Sequence, residues 1–124
     1  MRLLIDTPSF LWWMGASPAL SGVARAAIAD PTNEVLISIA SVWELTIKVS
    51  TGKLNFPADP ETIIRGEGFT VLAISFAHLR QLGTLPLLHK DPFDRILVAQ
   101  AVVEATPLVT ADRQLVRYSV PIVW

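Results

Sequence analysis

The chain has 124 residues, 10 Lys+Arg against 11 Asp+Glu, a formal net charge of −1 and no Cys. That length suits one domain, and 52% hydrophobic residues are enough for a sizeable core, which excludes intrinsic disorder as a description of the whole. The missing Cys excludes a disulfide framework, a zinc-thiolate site and a cysteine nucleophile. The near-neutral charge argues against a broad basic face for nucleic acid, though not against a small site that handles it through metal ions.

Arg2-Leu3-Leu4-Ile5-Asp6 is a short apolar run ending in an acid and predicts a buried strand. It is too short for a signal-peptide core. Thr7 to Met14 predicts a helix with Pro8 in its first turn. The wider stretch Phe10 to Val23 contains Gly15, Pro18 and Gly22 and falls short of the roughly 20 apolar residues a membrane span needs. A soluble, cytoplasmic protein is the expectation. Ser21 to Ala29 is Ala-rich and helical, stopped by Asp30-Pro31-Thr32-Asn33. Glu34 to Ser38 predicts a second strand and Ile39 to Val49 a helix. A short helix over Pro60 to Arg65 follows the cap residue Asp59. Phe69 to Ile74 predicts a third strand, Ser75 to Leu82 a helix with Gly83 near its end, and Leu85 to Lys90 a loop. The longest helical run is Phe93 to Ala105. Pro107 to Thr110 predicts a fourth strand, Ala111 to Arg117 a helix and Val120 to Val123 a last strand. Strands that are continuous apolar runs and alternate with helices belong to a mostly parallel sheet flanked by helices on both faces. The expectation is therefore a single α/β domain over residues 1–124, with the functional crevice beyond the carboxyl ends of the strands.

The acids fall where that crevice should be. Asp6 ends the first strand, Asp112 follows the fourth, Glu44 lies on the helix leaving the second, and Asp94 is near the start of the long helix. Each also fits a capping role. Asp6 precedes a helix start, Ser41-Val42-Trp43-Glu44 fits a capping box, Asp91-Pro92-Phe93-Asp94 carries cap, Pro and first-turn acid, and Asp112 suits the positive end of the last helix. Yet a cap needs only one acceptor, and several carboxylates converging on one edge repel one another unless a cation is present. Hard divalent cations such as Mg²⁺ take oxygen ligands of this type. Zinc is disfavoured with only His78 and His89 available. His78 reads as structural and His89 as a loop or supporting residue. No Ser/His/Asp set or Gly-rich phosphate loop is visible, and Asp6-Thr7-Pro8 lacks the second Asp of an aspartate-based phosphotransferase.

Four segments together resemble the PIN-domain ribonucleases, in particular VapC-type toxins of type II toxin–antitoxin pairs. They are Leu3-Leu4-Ile5-Asp6-Thr7 with Phe10-Leu11-Trp12-Trp13, Ser38 to Glu44, His89-Lys90-Asp91-Pro92-Phe93-Asp94-Arg95 with Ala99-Gln100-Ala101, and Leu108-Val109-Thr110-Ala111-Asp112. The resemblance implies a PIN-like fold and an endoribonuclease that uses a Mg²⁺- or Mn²⁺-activated water. It implies Asp6 and Asp94 as principal metal ligands, completed by Glu44 and Asp112. It also implies Thr110 as a hydroxyl near the site, an RNA substrate, a homodimer and a cognate antitoxin lying across the active site. Close relatives often read Asp-Thr-His at the first acid, where this chain has Asp6-Thr7-Pro8. Arg95 and Arg113, with Lys48 and Lys90, are candidates for RNA-phosphate contacts, although Lys48 is placed to pair with Glu44 one helical turn away. Adjacent Trp12 and Trp13 cannot face the same way, so either one lies in an interface or both are buried at the helix edge. The competing readings are a non-catalytic PIN-like interaction module, with its acids acting as caps, and a DNA-directed nuclease of flap type.

Overall fold

The first apolar run forms strand β1 (Arg2–Ile5), with its last three residues buried. A computed structural model describes residues 1–56 and 58–124. Helices α1 (Thr7–Met14) and α2 (Gly22–Ala29) follow, then β2 (Glu34–Ser38), α3 (Ile39–Ser50), α4 (Pro60–Gly66) and β3 (Thr70–Leu72). The second half carries α5 (Phe76–Thr84), α6 (Pro92–Val103), β4 (Leu108–Val109), α7 (Arg113–Val116) and β5 (Ile122–Val123). The five strands form one sheet in the order β3-β2-β1-β4-β5, and every neighbouring pair is parallel. The predicted α/β class and the helix-covered parallel sheet are both present.

Two-residue alternation is hidden inside the continuous apolar runs. Leu3, Ile5, Val35, Ile37 and Val109 join Phe10, Ala24, Ile28, Leu45 and Ile64 in one core cluster. Leu4, Leu36 and Leu108 join Leu97, Val98, Ala101, Leu115 and Tyr118 in a second. A parallel sheet must be covered twice, so both strand faces are apolar. Helix α6 is buried from Ile96 to Ala101, which makes it the interior helix of the second layer.

The differences from the predicted boundaries have local causes. Helix α6 ends at Val103 rather than Ala105, because Ala105 turns left-handed (φ 49°) and Thr106 N–H bonds back to Ala101 C=O at 3.0 Å. That hydrogen-bonded reversal aims the chain into β4. The capping box expected at Ser41–Glu44 is absent: Ser38 is the N-cap and its hydroxyl accepts from Ala40 N–H at 3.0 Å. The strand passes straight into the helix, so its last residue does the capping. Ser41 lies inside the helix, buried, with its hydroxyl unpartnered. The caps at Asp6, Asp59, Asp91 and Asp112 all form, each accepting from a backbone N–H in the first helical turn.

His78 is structural. Its Nδ1 accepts from Ser75 N–H at 3.0 Å, and its Nε2 lies 3.0 Å from Glu104, joining α5 to the end of α6. His78→Ala leaves buried polar groups unpartnered and opens a cavity, at an expected cost of about 2–3 kcal/mol in urea unfolding. Any activity per folded molecule should be unchanged.

Candidate metal centre

Sheet order decides which acids meet. The chain builds outward from β1 through β2 to β3, then crosses to the other side of β1 to lay down β4 and β5. The reversal falls between β1 and β4, and segments leaving neighbouring strands diverge there to open a crevice. Asp6 leaves the end of β1 and Asp112 lies just past β4, so they stand on either side of it. Helix α6 delivers the chain into β4, so its N-terminus, with Asp91 and Asp94, returns to the same edge.

Asp6 is buried, and its carboxylate accepts from Ser9 N–H at 2.9 Å. Burial pushes its pKa up, opposed by hydrogen bonds from Ser9 and the Thr110 hydroxyl and reinforced by the negative charge of Asp112. Thr110 is itself buried and accepts from Asp112 N–H at 3.0 Å, so one hydroxyl links the two acids. The pKa of Asp94 is pushed up to about 7, first by burial, then by the negative charge of Asp91, against the partial relief of His89, with Asp6 and Asp112 adding to the rise.

His89 lies among these acids. Its Nε2 is 3.3 Å from Asp94 Oδ2 and 3.2 Å from Asp112 Oδ2. One ligand atom from each of His89, Asp94 and Asp112 falls within 4.8 Å of the others. The loop is pinned from behind by buried Tyr118, whose hydroxyl accepts from Leu88 N–H at 3.2 Å and His89 N–H at 2.9 Å. The sequence signal for His89 was its place two residues before a helix cap and five before an acid.

Glu44 is not in this cluster. It pairs with Lys48 at 3.0 Å and lines a neighbouring groove with Asp91, Pro92 and Phe93. Arg95 turns inward: its guanidinium donates to Leu85 C=O at 3.2 Å and its Nε has no partner. Arg113 and Lys90 are exposed next to Asp112 and His89. Pro8 sits exposed in the first turn of α1 and offers no donor or ligand there.

Among the described residues, no Lys or Arg pairs with Asp6, Asp94 or Asp112, whereas Glu34, Glu44, Glu61 and Glu104 each have a basic partner. Wholly or partly buried carboxylates that repel one another and have no Lys or Arg beside them fit a hard divalent metal ion, with His89 Nε2 the one nitrogen in the cluster. Asp94 and Asp112, with Asp6 beside them, are the residues that would hold it.

No curated protein matches the chain. Solved structures share its fold. The VapBC2 complex of Rickettsia felis bound to a promoter DNA fragment matches with a TM-score of 0.71 at 16% identity, covering 98% of this chain and 97% of that one. VapBC-1 of nontypeable Haemophilus influenzae matches at 0.66 and 19% identity over 98% and 96% of the two chains. FitAcB of Neisseria gonorrhoeae matches at 0.64 and 14% over 98% and 96%. The PIN-domain model itself matches residues 3–121. Near-complete coverage, on a parallel sheet whose switch point gathers acids from β1, β4 and α6, places the chain in the PIN-domain family.

Proposed function

We propose that the chain is the toxin of a type II toxin–antitoxin pair: a VapC-type endoribonuclease that acts on cellular RNA in the cytoplasm with Mg²⁺ or Mn²⁺, residues 1–124 forming one nuclease unit. The observation that carries this is the convergence of Asp6, Asp94 and Asp112 at the switch point with, among the described residues, no Lys or Arg partner and only the His89 ring beside them. The structural neighbours support it, since two are VapBC complexes and a third, from Klebsiella pneumoniae, is described as a toxin–antitoxin complex.

A divalent cation held by these acids would activate a water and stabilise charge developing on the scissile phosphate. The protein's part is to fix the ligands beforehand. The Ser9 N–H and the Thr110 hydroxyl hold Asp6, and Thr110 also accepts from the Asp112 backbone. Glu44 lies to one side, held only by a partly exposed i,i+4 pair with Lys48 on its own helix, and is proposed to complete the site on loading. Arg113 and Lys90 are free to meet RNA phosphates. Arg95 is occupied with the Leu85 carbonyl, so its role in the proposal is to hold the α5–α6 loop.

The test is incubation of a mixed cellular RNA pool and matched DNA with purified protein in Mg²⁺, Mn²⁺ or EDTA. Metal-dependent cuts in RNA alone are expected. No cleavage by a folded, antitoxin-free protein overturns the reading and favours an interaction module.

The proposal includes a homodimer. Trp12 and Trp13 diverge into the fold, Trp12 packing on Trp124 at 5.8 Å and Trp13 on Phe69 at 6.4 Å. The exposed apolar face lies elsewhere. Ile39, Trp43 and Ile47 form a stripe at four-residue spacing on α3, with Trp43 61% exposed, and α5 adds Phe76, 77% exposed, and Leu79. An apolar groove between α3, α5 and α6 is lined by Trp43, Leu79 and Phe93. Such a face marks a protein contact. Trp43→Glu with Phe76→Glu should convert a dimeric wild type to monomer in sedimentation equilibrium, weakening self-association at least about tenfold. An unchanged dimer would put the contact on another face.

A further inference from the structure

We propose that His89 is a positioning residue that clamps Asp94 and Asp112 together through a single ring proton, and is not a metal ligand. The proposal rests on the reading of Asp94 and Asp112 as cation-binding acids.

The argument is one of proton placement. Asp91 N–H donates to His89 Nδ1 at 3.0 Å, so that nitrogen presents a lone pair. A neutral imidazole with its lone pair at Nδ1 carries its proton at Nε2. Nε2 lies 3.2 Å from Asp112 Oδ2 in hydrogen-bonding geometry and 3.3 Å from Asp94 Oδ2, so the one N–H donates to Asp112 and its positive end also faces Asp94. To bind a cation through Nε2 the ring would have to shed that proton and move it to Nδ1, which faces another donor. The Asp91 N–H therefore bars His89 from ligation while fixing it as a donor.

The surrounding turn has the same effect. Asp91 N–H bonds to the ring, and the Asp91 carboxylate caps α6 by accepting from Phe93 N–H at 2.9 Å. Tyr118 fixes the backbone of Leu88 and His89. Ring, cap and helix start are thus one unit that sets the distance between an acid on α6 and an acid after β4. A site completed this way offers only oxygen ligands, which suit Mg²⁺ and Mn²⁺ and give Zn²⁺ no nitrogen.

Two measurements test the clamp. The first is ¹⁵N NMR of the His89 ring at pH 8 in the metal-free and Mg²⁺-loaded protein. A neutral ring protonated at Nε2 is expected in both. A ring protonated at Nδ1 in the loaded protein is a ligand and overturns the proposal, as does a doubly protonated ring in the metal-free one. The second is Mn²⁺ titration calorimetry on wild type, His89→Gln and His89→Ala. Gln places an amide N–H near the ring Nε2 and should bind within about threefold of wild type. Ala should bind about tenfold more weakly, the size seen when a supporting hydrogen bond to a metal ligand is lost. Equal weakening in Gln and Ala overturns the clamp alone. A wild type that takes up no Mn²⁺ overturns the cation reading, and the clamp with it.

Discussion

Asp94→Asn should abolish RNA cleavage and at the same time make the metal-free protein more stable above neutral pH. The carboxyl is pushed up to about 7, chiefly by burial and by Asp91. An acid whose pKa is higher folded than unfolded favours the fold when protonated. Its contribution is complete below its unfolded pKa of about 4 and is lost as pH rises through about 7. One pKa unit corresponds to about 1.4 kcal/mol, and the Asp94 side chain is 21% exposed, so solvent screens part of the cost. About 2 kcal/mol is the expected gain from Asn at pH 8, with little gain at pH 4. Urea unfolding at the two pH values without metal measures it. In wild type, Mn²⁺ should reverse the alkaline loss, because the cation supplies the missing positive charge, and its stabilisation should vanish in the variant. Cleavage should fall at least about a hundredfold, since transition-state stabilisation worth several kcal/mol is removed. A folded Asp94→Asn protein that cuts as fast as wild type would remove Asp94 from the site.

The second large effect separates two roles of one residue. Asp6 caps α1 through Ser9 N–H and is also a buried acid of the cluster. Asp6→Asn keeps an acceptor for Ser9 and removes a charge that burial disfavours, so its stability at pH 8 should equal or exceed that of wild type. Asp6→Ala leaves the Ser9 N–H without its cap and should be about 1–2 kcal/mol less stable than Asn. Both should lose metal-dependent cleavage. If Asn retains it, Asp6 is a cap and nothing more.

Helix starts and strand cores were readable from local pattern. The cap residues Asp6, Asp59 and Asp91 announce their helices because a first turn needs an acceptor just ahead of it, and all three form, whereas Ser21 and Ser75, expected as first helical residues, are the N-caps of α2 and α5. Ends were less legible. β3 keeps only Thr70–Leu72 of the Phe69–Ile74 run, since pairing with β2 extends over those residues alone while Phe69 packs into the core. α5 runs past Gly83 to Thr84, because its packing on α6 outweighs the low helix propensity of glycine. The Ser41–Glu44 capping pattern was a false signal, as Ser38 already supplies the cap.

The candidate site divides in the same way. Residue types and their places, after strands for Asp6 and Asp112, on the helix leaving β2 for Glu44 and at the start of the long helix for Asp94, were enough to nominate four acids, because hydrophobic runs mark strands and parallel sheets present their functional groups at one edge. Which acids meet depended on strand order, and strand order is a matter of long-range pairing that no local window contains. Placing β4 beside β1 brought Asp112 to Asp6, while Glu44, one strand away on a flexible side chain, went to Lys48. His89 was marked in sequence as a loop or supporting residue, just ahead of the Asp91 cap. Its place between two carboxylates follows from Tyr118, which holds the loop from the far end of the chain, and from the Asp91 N–H, which sets the ring. Contacts that join residues about thirty positions apart, such as Leu88 to Tyr118, exist only once the second core layer has packed.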